Sequence, residues 1–126
     1  MKIKYEQKND VGIIKISGKL VASNSTDLKT AFKEYLKTAV KFVIDLSEMD
    51  FIDSTGLGAL VSCLKISMEA KGDIFIANLA PKPRLVFEMT RAFKIFKVFD
   101  DVDGGVANFI YHSFSLHRQR TQGARC

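Results

Sequence analysis

The run VKFVIDL, residues 40–46, constrains this chain more than any other stretch. It is short, β-branched and apolar at neighbouring positions. A strand with one wet face alternates polar and apolar residues. A strand without that alternation belongs inside a sheet covered on both faces. DIFIANL, residues 73–79, is a second run of the same kind. Segments with helical periodicity precede and follow both runs, so the chain reads as strands joined by helical crossovers, which places the strands parallel.

The helical segments show their inner faces. SNSTDLKTAFKEYLKTA carries Leu28, Ala31, Phe32, Tyr35, Leu36 and Ala39 at one-face spacing. Asn24 or Ser25 is placed to cap it, with Asp27 in the first turn. After VKFVIDL, the residues SEMDFID read as a loop. Leu57, Leu60, Val61, Leu64 and Met68 then form a second stripe, which Gly72 ends. Pro83 marks the start of a third helix with Leu85, Val86 and Met89 as its inner face. FKIFKVFD reads as a short strand or turn, and VDGGVANFIY as a weak last helix disfavoured by Gly104 and Gly105. At the other end, KIKYEQ and GIIKISGKL are strands joined through Asn9-Asp10, with Gly12 just beyond, in hairpin chemistry. The order is β-β-α-β-α-β-α-(β)-α. This is an α/β domain whose central sheet is mostly parallel, with an antiparallel N-terminal edge strand and about four flanking helices.

At 126 residues the chain is the size of one domain. No apolar run approaches the roughly 18 residues that span a bilayer, and no signal-like segment opens it. The expected location is the cytoplasm, with no membrane role. Cys63 and Cys126 match neither a metal-ligand spacing nor a disulfide framework, and Cys63 reads as a small buried residue. No metal and no cofactor are expected. Of the net charge of +5, three charges come from Arg118, Arg120 and Arg125. Residues 1–111 are therefore read as the domain, and 112–126 as a basic tail, disordered or left over from expression. That location argues against direct nucleic-acid binding.

The chemistry concentrates in FIDSTGLGALVSCLK, residues 51–65, where strand gives way to helix. Ligands and partners of α/β folds meet the carboxyl ends of the strands. Here Phe51 and Ile52 are expected to anchor the loop, with Asp53 and Ser54 at its tip. Gly56 and Gly58 weaken the first helical turn but let another backbone approach. Ser54 is either an N-cap or a group presented for another molecule. Neither His nor Lys lies near enough in sequence to activate it as a nucleophile, so modification by another protein suits it better than catalysis.

VIDLSEMDFIDSTGLGALVSCLK resembles the signature of STAS domains of the bacterial anti-sigma factor antagonist type: a strand, a short loop, Asp-Ser-(Ser/Thr/Ala)-Gly-Leu-Gly, then a helix. GKLVASNSTDLKTAF and LAPKPRLVFEMTRAFKIFKVFDD resemble the flanking family segments, so the resemblance spans about residues 3 to 110. It implies a partner switch without enzymatic activity. The unmodified antagonist binds an anti-sigma factor that is also a serine kinase and frees the sigma factor. The kinase then phosphorylates the serine after the motif Asp, here Ser54, and a serine phosphatase reverses this. Asp53, Thr55, Gly56 and Gly58 would form the docking surface with Asn24 and Ser25 from the loop before the first helix. Family members often carry an acid just after the Gly-x-(Leu/Ile) turn, where this chain has Val21, which bears on partner choice.

Phosphate adds about −1.5 to −2 charges at neutral pH. A helix N-terminus tolerates that charge, whereas a protein interface must desolvate it beside Asp50 and Asp53 at a cost of several kcal/mol. Each loss of about 1.4 kcal/mol is tenfold in affinity, so modification should switch binding without switching folding. Three other readings compete. Asp45 and Asp50 would suit a response-regulator receiver, but KIKYEQKND lacks the acidic pair such a domain needs; Asp45 reads better as a strand-end residue bonded to loop backbone. An enzyme is a poorer fit, with His112 and His117 in the tail and no Gly-rich phosphate loop. The closer alternative is a STAS module that senses a ligand or scaffolds a complex without sigma-factor control. Phe87, Phe93, Phe96 and Phe99 are read mainly as core, with one or two exposed for a partner.

Overall fold

The structure, a computed structural model, describes residues 1–109. The tail expected at 112–126 lies outside the described residues. Strands β1 (Lys2–Lys8) and β2 (Val11–Leu20) form the opening hairpin. Asn9 and Asp10 both take positive φ, 52° and 68°, the two-residue turn whose twist matches paired strands. Helix α1 (Ser25–Tyr35) leads to β3 (Lys41–Asp45), and a short β4 (Met49–Ile52) precedes helix α2 (Ser54–Glu69). Then come β5 (Asp73–Ala77), α3 (Pro81–Met89), a 3₁₀ turn (Ala92–Lys94) and β6 (Lys97–Phe99). A last helix, α4, covers 102–109 among the described residues.

The sheet order is β1-β2-β3-β5-β6, with β4 alongside β2. Among the described residues only β1 and β2 pair antiparallel; every other pair is parallel. Besides β1, strand β2 serves two parallel neighbours along its other edge. Val11–Lys15 pairs with β3, while Gly18–Leu20 pairs with β4 after a register shift at Gly18/Lys19. Gly18 sits at φ 88° there, a conformation that favours glycine, and bends the strand from one partner to the other.

VKFVIDL is buried on both faces, as its lack of alternation implies. Phe42 and Ile44 face α1, α2 and α3, within one cluster with Ile14, Leu28, Phe32 and Leu60. Val43 faces the opposite way, with Val11, Phe75, Val106 and Phe109 beneath α4. Each such fully buried side chain contributes roughly 1.5–3 kcal/mol. Gly104 and Gly105 do not prevent α4. Asp101 accepts the Gly104 N–H at 2.7 Å, and a Cβ on Gly105 would lie 3.1 Å from Val43, so the glycine brings the helix close to the sheet.

Several local expectations need correction. SEMDFID is not all loop, because Met49–Ile52 pairs with β2; four residues with only the outer two buried leave no periodic signal. Helix α3 begins at Pro81, not Pro83, both prolines fitting a first turn whose N–H groups have no helical acceptor. Its inner face is Pro83 and Phe87 with half-buried Val86, as expected for Val86, while Leu85 and Met89 are exposed. Met68 is likewise exposed. The segment read as strand or turn is both, a 3₁₀ turn followed by β6. At the end of α2 the left-handed residue is Lys71, φ 69°. Gly72 is required instead because a Cβ there would run into the Val40 carbonyl. Among the described residues no helix is long and apolar enough to cross a membrane.

Candidate functional site

Strand β4 ends at Ile52, fully buried and paired with Leu20 of β2. That pairing sets where α2 begins. Asp53, in extended conformation, takes the N-cap position. Its Oδ1 accepts the Gly56 N–H at 2.7 Å and its Oδ2 accepts the Ala22 N–H at 3.1 Å. The first of these bonds, more than any other influence, holds the Asp53 carboxyl below its usual range. One carboxylate thus caps α2 and ties its first turn to the β2–α1 loop.

Ser54 is therefore not the cap. It is the first residue of α2 and exposed, and its hydroxyl has no hydrogen-bond partner among the described residues. Thr55 is exposed beside it. The two glycines of the motif differ. A Cβ on Gly56 would lie 2.2 Å from the Leu20 carbonyl oxygen, so this buried glycine permits a close approach within the chain itself. Gly58 is exposed, with nothing within 4 Å of where a Cβ would point.

The loop before α1 closes the site's other side. Asn24 stands at the cap position of α1 but makes no side-chain cap. Its amide donates to the Lys19 carbonyl and accepts the Val21 N–H, both at 2.9 Å, which braces the loop. Ser25 is buried, with its hydroxyl donating to the Ala22 carbonyl at 3.4 Å. The expected capping of α1 by either side chain is thus not observed. Asn24, Ser25 and Gly56 shape the surface from beneath, and Ala22, Ser23, Ser54, Thr55 and Gly58 form its exposed part.

Phe51 does not anchor the loop: it is 46% exposed on β4, next to the site, while Ile52 alone turns inward. Reading 49–52 as a strand end would have been needed to find it. Asp45 is a strand-end residue, as expected, accepting from the Ser47 N–H at 2.9 Å and the Asn78 amide at 3.2 Å. Cys63 is buried in α2, and that burial pushes its thiol up to about 12. It behaves as an apolar residue. Among the described residues no three acid, His or Cys side chains are grouped to hold a metal ion. Three surface cavities, of about 560, 570 and 300 Å3, are lined by other residues, and Ser54 stands clear of them.

The geometry, an accessible hydroxyl at a capped helix start, agrees with the sequence signature. The family model for the STAS domain matches residues 2–105. The chain belongs to the STAS domain family. Among relatives of this STAS chain, the anti-sigma F factor antagonist of Paenibacillus polymyxa is 24% identical over 103 residues, 80% of this chain and 88% of that protein. A candidate anti-sigma factor antagonist from Thermotoga maritima, known as a crystal structure, superposes with a TM-score of 0.78. It is 26% identical, and the match covers 84% of this chain and 92% of that one. A sulfate transporter family protein from Wolinella succinogenes shares the STAS fold at TM-score 0.69 and 18% identity, covering 79% of this chain and 84% of that chain. At that identity the likeness shows fold alone.

Proposed function

We propose that this STAS domain is an anti-sigma factor antagonist whose unphosphorylated form binds an anti-sigma factor serine kinase, and that phosphorylation of Ser54 abolishes the binding. The observation that carries the reading is the division of labour at the start of α2. Asp53 caps the helix, so the Ser54 hydroxyl stays exposed and unpartnered. A structural serine would use its oxygen for the cap; this one is left for another molecule. The relatives' names give the class of partner. The exposed part of the docking surface is Ser54, Thr55 and Gly58 with Ala22 and Ser23, while Asn24, Ser25, Asp53 and Gly56 hold it in shape. A serine phosphatase acting on phospho-Ser54 returns the protein to its binding form.

A phosphate on Ser54 adds about −1.5 to −2 charges next to the Asp53 carboxylate. Facing solvent at a helix N-terminus, that charge leaves the fold intact. Under a partner it must be stripped of water beside a like charge, and the complex dissociates. Phosphopeptide mapping of protein from its own cells tests the assignment: Ser54 occupancy should change with growth conditions, and its absence under all of them would end the proposal. Ser54→Asp should keep the wild-type circular dichroism while weakening capture of the partner about a hundredfold, the equivalent of about 2.7 kcal/mol. Ser54→Ala should bind and resist release by the kinase.

A second reading, a STAS module that senses a ligand or scaffolds a complex without sigma-factor control, draws on the cavity of about 560 Å3 lined by β1 and β2 with Asp45 and Val102 and on the occurrence of the fold in a transporter family protein. A small molecule co-purifying with a protein that carries no phosphate on Ser54 would favour it.

A further inference from the structure

The flank formed by α3, the 3₁₀ turn and β6 has a character found nowhere in the Ser54 site. Leu85 and Met89, one helical turn apart on α3, are 59% and 82% exposed, and Phe93 and Ile95 also reach solvent. Five cations lie among them, Lys82, Arg84, Arg91, Lys94 and Lys97, against Glu88 on α3 and Asp100 and Asp101 just after β6. None of the five pairs with a carboxylate among the described residues. Two are held over rings instead, Arg84 at 5.5 Å from the Phe93 centroid and Lys97 at 5.8 Å from that of Phe75. Beside them a groove of about 570 Å3 is lined by Arg84, Phe93, Phe96, Lys97 and Phe99, with Asp100 as its acid. The groove runs along β6, the edge strand of the sheet.

We propose that this flank is a second docking surface, which takes an acidic, amphipathic segment of a protein partner. The surplus of unpaired cations selects acidic side chains, and the exposed aliphatic and aromatic groups supply the apolar area that such a surface needs. The chain's own remaining segment, 110–126, is a poor occupant because it carries three arginines and no acidic side chain. A second copy would bring the same cations to face these ones. The surface shares no residue with the Ser54 site, so a partner held here stays bound in both phosphorylation states.

The test is an NMR titration of the full chain with a short synthetic peptide of alternating Leu, Phe, Glu and Asp. A matched peptide with Lys in place of the acids and vesicles of phosphatidylserine and phosphatidylcholine are run beside it. The acidic peptide should shift the amides of Arg84, Leu85, Met89, Phe93 and Lys97 saturably, and its affinity should fall as salt is raised. Arg84→Glu with Lys97→Glu should weaken it about tenfold. Met89→Asp should weaken it too, and Ser54→Asp should leave it unchanged; all of these positions are exposed, and circular dichroism checks their folding. The proposal is overturned if the acidic peptide leaves these amides unmoved, if the lysine peptide binds as well, or if only the anionic vesicles bind. A dimer formed through this face in sedimentation runs would overturn it equally.

Discussion

Helices α2 and α3 both start where a parallel strand has just ended, yet they start in opposite ways. At α2, Asp53 accepts the Gly56 N–H, and the residue after it keeps a free hydroxyl. At α3, Ala80 holds the cap position with no side-chain bond, and Pro81 and Pro83 remove two N–H groups from the first turn. One start presents a free, exposed hydroxyl. The other has fewer N–H donors in its first turn, and its surroundings carry apolar side chains and unpaired cations. The comparison teaches that position at the carboxyl end of a sheet does not by itself make a switch site. What sets α2 apart is a cap that leaves the neighbouring hydroxyl free.

The sharpest way to break this contrast is Gly56→Ala. Its Cβ would meet the Leu20 carbonyl at 2.2 Å, so backbone must shift, and urea unfolding should show a loss of about 3 kcal/mol. Next is Asp53→Ala, which removes the cap and the link to Ala22 together and should lower Tm by about 5 °C at neutral pH. Its sign with pH follows from the depressed carboxyl. The Asp53 contribution is complete above the unfolded value of 3.8 and is lost as pH falls through the lower folded value. Melting curves of the two proteins should therefore begin to converge only as pH falls below 3.8. Gly58→Ala should do the reverse of its neighbour and stabilise by about 0.5–1 kcal/mol, since nothing stands in its way and alanine favours helix. The smallest change, about 0.5 kcal/mol of added stability, is expected for Ala80→Asp, which would give α3 the acidic cap that it lacks.

How much could be read in advance depended on whether a residue's role was local. VKFVIDL and DIFIANL were legible because burial on both faces leaves an unbroken apolar run. The hairpin was legible because Asn9 and Asp10 suit positive φ. Strand β4 was not, since its existence rests on pairing with Gly18–Leu20, some thirty residues away. Two misreadings at the site follow from that one. Without the end of β4, Ser54 reads as a candidate cap, and Phe51 is taken for an anchor. Gly56 and Gly58 look alike in the motif and are told apart only by what lies opposite them. On α3, Leu85 and Met89 fit a helical stripe as well as Phe87 does, and only the position of the sheet shows which face is inward.

The double pairing of β2 has a consequence for how the molecule is born. The hairpin of β1 and β2 closes through a two-residue turn and can form as soon as it leaves the ribosome. Its far edge then waits for β3 and β4, contacts that close loops of about thirty residues and form more slowly. The Ser54 surface draws on residues 18–25 from the early part of the chain and 49–58 from the later part, so no nascent fragment shorter than that presents it. On the proposed function, a kinase that reads this surface rather than a linear peptide would act only on chains in which these two parts have already folded together.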